Sequence, residues 1–182
     1  MWKIVVIALL LVGCGSKTSE ENASSPPIIE FETLQRDSWS EEEQANVKII
    51  SEFVQVMMNN HDFDRVLQKF NNDSYVQHNR NLPNGIEGLT GFLTEFVSEY
   101  PQYSYDVKHI YADGDYVVFH SHATLKKEDR GNDQKGMNII DTWRLEDGRI
   151  VEHWDSIQPL DRLMRVYVLL NGGDIRNDNG VF

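Results

Sequence analysis

Apolar residues recur at helical spacing in three stretches of the chain and then switch to alternation in four more. Behind the capping-box spacing Ser40-Glu41-Glu42-Glu43, Val47, Ile50, Val54 and Met57 repeat along one face with Phe53 beside them. A second helix is predicted after Asp62, with Phe63, Val66, Leu67 and Phe70 on one side. A third covers about 85–100, where Ile86, Leu89, Phe92, Leu93, Phe96 and Val97 form the apolar face and Pro101 stops the helix. From there the period falls to two. Segments 103–111, 116–125, 137–145 and 150–158 read as strands, and 75–78 as a further short one. Asp113-Gly114 joins the first pair and Asp147-Gly148 the last, a pairing suited to type I′ hairpin turns, which need positive φ at both central residues. Helices followed by an antiparallel meander predict an α+β domain.

The flanking segments divide the rest. Lys3, an apolar run from Ile4 to Val12 and then Leu11-Val12-Gly13-Cys14 have the layout of a secretory signal, and the last four resemble the lipobox of bacterial lipoproteins. The run is too short to span a bilayer, which takes about 20 residues. Residues 1–14 are therefore expected to be a signal peptide ending at a lipidated Cys14, which would place the protein in the cell envelope, on the outer membrane or facing the periplasm. Residues 15–40, rich in Ser, Glu, Asn and Pro, read as a flexible tether. The domain is expected over 41–158, with 159–182 as a C-terminal extension of unassigned role.

Composition removes several functions. Cys14 is the single cysteine, so an internal disulfide, a thiolate metal site and cysteine chemistry in the domain are not available. A formal charge of −12 repels phosphate backbones and argues against nucleic acid as a partner. It also repels anionic lipid, so attachment is expected to depend on acyl chains and not on a basic patch.

Side chains two apart on a strand share a face, and that rule groups the polar residues. Val118, His120, His122 and Thr124 form one set, Asp141 and Trp143 another, and His153 and Asp155 a third. If the helices cover one face of the sheet, His120, His122, Asp141, His153 and Asp155 are expected to line an apolar pocket, the usual setting for a ligand site. The opposite parity carries Val117, Phe119, Ile140, Ile150 and Trp154, read as a homodimer interface. His61 and His109 read as structural or exposed.

An ordered set of short motifs resembles SnoaL-like proteins of the nuclear transport factor 2 (NTF2)-like superfamily. The set comprises Tyr75-Val76-Gln77-His78-Asn79, Gly85-Ile86-Glu87-Gly88-Leu89, Val118-Phe119-His120-Ser121-His122, Asp141-Thr142-Trp143-Arg144 and Asp147-Gly148-Arg149-Ile150-Val151-Glu152-His153-Trp154-Asp155. The closing Asn179-Gly180-Val181-Phe182 is also similar to tails in this group. The resemblance implies a cone in which a curved antiparallel sheet packs on about three N-terminal helices around a pocket, and it implies sheet-to-sheet dimers. In the polyketide cyclase that names the family, an aspartate late in the last strand is the acid/base of an aldol condensation, and it matches Asp155. A cyclase histidine on the preceding strand falls at Asp141, where this chain departs from the pattern.

These readings lead to a membrane-anchored protein that binds a small organic molecule and carries out acid/base chemistry of aldol or isomerase type. Asp155, Asp141 and His120 are its expected catalytic residues, and His78, His122, His153 and Trp143 its substrate-binding ones; no cofactor is expected. The alternatives are a non-catalytic small-molecule-binding lipoprotein and, third, a zinc-like ion held by His78, His120, His122 and an aspartate.

Overall fold

In the computed structural model, which describes residues 25–171 and 174–181, Ser40 closes the capping box its spacing predicts. The Glu43 N–H donates to Ser40 Oγ at 3.2 Å and the Ser40 N–H to Glu43 Oε2 at 2.7 Å. The helix it starts, α2 (Glu41–Val54), follows a single turn, α1 (Phe31–Leu34). It buries Val47, Ile50, Phe53 and Val54 and then widens into a π-helical turn, Gln55–Asn59. That turn aims Asn59 at the sheet. Its amide donates to the Tyr105 carbonyl and accepts from the Tyr105 N–H, both at 2.8 Å, so two buried backbone groups are satisfied by one side chain. Asp62 caps α3 (Phe63–Phe70), and α4 (Gly85–Glu99) buries Ile86, Leu89 and Leu93.

Five strands form one sheet in the order β1-β5-β4-β3-β2: β1 (Val76–Gln77), β2 (Ser104–Asp113), β3 (Tyr116–Thr124), β4 (Met137–Glu146) and β5 (Arg149–Pro159). The last four are antiparallel, while β1 runs parallel to β5 at the edge. The α+β reading and the helix-then-meander order hold. At the β4–β5 turn both Asp147 (φ 49°) and Gly148 (φ 72°) have the positive φ expected of a type I′ turn; at the β2–β3 turn only Gly114 does.

Two expectations need correction. Residues 15–40 are not all tether. Residues 1–24, with the signal, Cys14 and the start of the tether, lie outside the described residues, but Ile29, Phe31 and Leu34 pack on the core and Trp39 is buried. The Ile29 N–H donates to Gln55 Oε1 at 2.9 Å, and Lys48 Nζ lies 5.0 Å from the centre of the Phe31 ring. The docked segment is short and follows directly on Pro26-Pro27, so it lacks the repeat that would mark it in sequence.

The second correction concerns β3. Register sets Phe119 opposite Asp141 and Asp141 opposite Asp155. The enclosed face of β3 therefore carries Val117, Phe119, Ser121 and Ala123, whereas His120 and His122 lie on the other face with Ile140 and Asn138. Val117, Phe119 and Ile150, assigned above to a dimer interface, are core residues; of that set Ile140 and Trp154 remain on the outside. The cause is volume. Phe119 fills the concave side against Trp143, ring centres 5.2 Å apart, and a polar alternation of histidines is what the solvated side of an antiparallel sheet accommodates.

The corrected register predicts opposite consequences for neighbours in the sheet. Phe119→Ala, a cavity in the core, is expected to cost about 3–5 kcal/mol. Ile140→Ala, on the outer face and 37% exposed, is expected to cost less than about 1 kcal/mol. Urea unfolding of the two variants measures the difference, and equal losses would contradict this register.

Candidate functional site

The concave face of the sheet, α4 and a C-terminal helix, α5 (Arg162–Asn171), enclose a cavity of about 550 Å³. Its wall is mostly apolar, with Leu89, Phe92 and Phe96 from α4 and Tyr167 and Val168 from α5. Against that wall the strands set one connected group of polar side chains.

The group is built on Gln77, which is fully buried on β1. Its Oε1 accepts from the Asn79 N–H at 2.9 Å, and because a backbone N–H only donates, this contact fixes the amide's orientation. His153 Nδ1 meets the same oxygen at 3.1 Å and must therefore carry a proton. The other ring nitrogen, Nε2, lies 3.0 Å from Asp141 Oδ1, so those two atoms share the remaining proton, as imidazolium with carboxylate or imidazole with carboxylic acid. Asp141 Oδ2 accepts from the Tyr105 hydroxyl. Burial, reinforced by the Asp141 charge, raises the Tyr105 pKa well above a phenol's ordinary value and keeps it a donor. Trp143 stacks on His153 with ring centres 5.2 Å apart and fixes the imidazole plane.

Asp155 stands beside this group, opposite Asp141 on β5, and is only partly buried. Asn79 Nδ2 donates to its Oδ1 at 2.7 Å. Asn79 is itself held by the Asn81 N–H, which donates to Asn79 Oδ1 at 2.9 Å. Burial raises the Asp155 pKa above the ordinary 3.8; His153 and Asn79 oppose the rise, while the Asp141 charge adds to it. Tyr75 borders the same cavity. Its oxygen accepts from Gln77 Nε2 at 3.3 Å, which leaves its own proton for a ligand. Burial and then the Asp155 and Asp141 charges push its pKa up.

Of the residues singled out in the sequence, Asp141, Trp143, His153 and Asp155 meet at the cavity. His120 and His122 do not. His120 Nε2 donates to Asn138 Oδ1 at 2.6 Å, and His122 Nε2 donates to the Lys135 carbonyl at 2.7 Å. His78 reaches the rim with both nitrogens engaged. Nδ1 donates to the Gly180 carbonyl at 2.6 Å, Nε2 lies 3.3 Å from Glu152, and the ring stacks on Trp154 at 4.4 Å. Burial pushes the Glu152 pKa up, but hydrogen bonds from Arg144 and His78 outweigh it and hold it down. The histidine set considered for a zinc-like ion is thus not brought together. The set assembled among the described residues is Asp141, His153 and Asp155, with one ligand-type atom from each within 4.8 Å of the others. In it Asp141 and His153 already satisfy one another, so a cation would have to displace their hydrogen bond.

Tyr75, Gln77, Asn79 and Tyr105 were missed. Three of them alternate at period two in Tyr75-Val76-Gln77-His78-Asn79, a signal present in the sequence, with His78 on the opposite parity.

The SnoaL-like domain matches residues 50–153. Solved structures with the same fold include a candidate polyketide cyclase from Bacillus cereus, 20% identical over 71% of this chain and 83% of that one, with a TM-score of 0.55. A candidate SnoaL-like polyketide cyclase from Jannaschia is 16% identical over 76% and 100% of the two chains, with a TM-score of 0.56. A candidate hydroxylase from Streptomyces galilaeus is 17% identical over 75% and 89%, with a TM-score of 0.53. At these identities the likeness is one of fold, and the names span more than one reaction. No protein of curated function matches the chain. The matched span covers more than half of the chain and contains Asp141 and His153, and the five-stranded sheet with its helices shares the fold of those structures; the protein belongs to the SnoaL-like family, with the NTF2-like cone fold.

Proposed function

We propose that this protein binds a small organic molecule in the cone and moves a proton next to its carbonyl group, in aldol-type or isomerase-like chemistry. One observation carries the reading. Asp155, a partly buried carboxylate with a raised pKa, faces an apolar cavity beside a second carboxylate that is paired with a histidine. A carboxyl moved toward neutral pH by burial suits general acid/base work. Asp155 takes the proton from the carbon next to the carbonyl, and Tyr75 donates a hydrogen bond to the enolate oxygen that develops. Asp141 and His153 keep their shared proton beside Asp155 and set the charge it faces. Tyr75 supplies this donor because the ring nitrogens of His120, His122 and His78 are bonded to Asn138, Lys135 and Gly180.

Asp155→Asn preserves shape and removes the base, so turnover of a carbonyl substrate is expected to fall about 10²–10⁴-fold with melting at pH 7 unchanged or raised. The pH dependence has a definite sign. Because the folded carboxyl is raised above 3.8, the native state holds the proton more tightly than the unfolded chain does. Its contribution to stability is therefore largest in acid and declines as pH rises from 3.8 through the folded value, and Asp155→Asn is expected to abolish that decline. Urea unfolding across the range checks the slope. Ligand binding that survives with no effect of the substitution on any turnover would favour a non-catalytic binding protein.

The remaining parts of the proposal are location and assembly. Lipidation at Cys14 would tether the domain in the cell envelope, on the outer membrane or facing the periplasm, and the outer sheet face around Val118, Ile140 and Trp154 would pair two copies. Cys14→Ser is expected to release the protein from membranes or leave its signal uncleaved; complete retention with normal cleavage would defeat the anchor. Sedimentation of the released chain, with and without Ile140→Glu, reports on the dimer: a dimer made monomeric by the substitution supports it, and a wild-type monomer at micromolar concentration refutes it.

A further inference from the structure

The C-terminal helix presents two unlike faces. At 100° per residue, Tyr167, Met164 and Val168 fall on the side turned to the domain, where Met164 is buried and Tyr167 and Val168 border the cavity. The rest of the circumference, a continuous arc of about 160°, carries Arg165, Leu169, Arg162, Val166, Leu170 and Leu163 in that order. All six are exposed. The aliphatic members are strongly so: Leu163 68%, Val166 51%, Leu169 81% and Leu170 76%. A soluble domain rarely leaves four large aliphatic side chains together on one helix face without a partner.

Charge identifies the partner. In a chain with 29 acids and 17 bases, this arc holds two arginines and no acid. Asp133 and Asp161 border one surface depression with Lys135, Arg162 and Arg165, so bases outnumber acids there as well. Asp161 accepts from the N–H groups of Leu163, Met164 and Gly136, and Asp174 pairs with Arg176. Leucines interleaved with arginines, whose stems lie along apolar surface while their heads stay in water, suit the boundary between headgroups and acyl chains of an anionic bilayer. A second copy fits less well. A two-fold pairing of this helix would set Arg162 and Arg165 near their own equivalents.

We infer that the outward face of α5 docks on an anionic phospholipid surface. The net charge of the chain conceals this face, because repulsion summed over the whole molecule says nothing about where its few bases lie. Docking requires neither acylation at Cys14 nor turnover in the cavity, so it stands or falls separately from the function proposed above.

The experiment places the fluorophore NBD on Leu169→Cys in the full-length chain carrying Cys14→Ser, so that the labelled thiol is unique. Arg149→Cys, at the opposite end of β5, serves as the control site. With phosphatidylglycerol vesicles, emission from position 169 is expected to shift to the blue and to be quenched by doxyl-labelled lipid, more than with phosphatidylcholine, while position 149 reports water throughout. Adding Arg162→Glu and Arg165→Glu is expected to lower the ratio of docked to undocked helix by at least about 30-fold, from roughly 1 kcal/mol per basic residue near an anionic surface. A water-like signal from position 169 on phosphatidylglycerol overturns the inference, whether or not the vesicles retain the protein. So does a blue shift that grows with protein concentration in the absence of lipid, which would assign the face to a second copy.

Discussion

A single buried chain of hydrogen bonds sets the interior of this protein. Gln77 on β1, His153 on β5, Asp141 on β4 and Tyr105 on β2 are joined in that order across the concave side of the sheet. Each would be costly to bury alone, since an unpaired polar group in an apolar interior forfeits its hydration without return. Together they satisfy one another, with the Asn79 N–H fixing the amide at one end. The chain ties the two-residue edge strand to the sheet and leaves a defined proton between His153 and Asp141. Its dependence on complete pairing is what makes such a network specific.

The cavity follows from that constraint. Polar side chains gathered on one patch of the concave face leave most of the remaining wall to Leu, Phe and Met, with Arg80, Asn81 and Arg176 also on the lining. Asp155 is the member of the patch with least support and most access. It is held by one amide at Oδ1, lies next to a carboxylate, and is only partly buried. The groups that tie the strands together and the carboxylate most open to the cavity are therefore different residues.

The C-terminal segment belongs to the same construction. Asn177 donates to the carbonyls of Asn79 and Leu82, Asn179 donates to the carbonyl of Gln77, and His78 donates to the carbonyl of Gly180. Residues 177–180 thus strap the loop that carries Asn79, and through it the position of Asp155. The His78 ring, stacked on Trp154, fastens this strap to the outer side of the sheet.

Local chemistry made much of this legible from the sequence. The capping box at Ser40, the three apolar periodicities and the Asp147-Gly148 turn each depend on neighbours within a few residues, and the helices and strands formed where those signals lay. Alternation likewise grouped His153 with Asp155, and Asp141 with Trp143. What alternation cannot give is which face turns inward, because period two is symmetric until another layer breaks the symmetry. For β3 the choice was made by packing Phe119 against Trp143, which carried His120 and His122 to the outside. The roles of Gln77 and Tyr105 were not legible for a related reason, although alternation does put Gln77 on one face with Tyr75 and Asn79. A glutamine and a tyrosine become parts of a site only when strands far apart in sequence bring His153 and Asp141 to them, and those distances exist only in the folded chain.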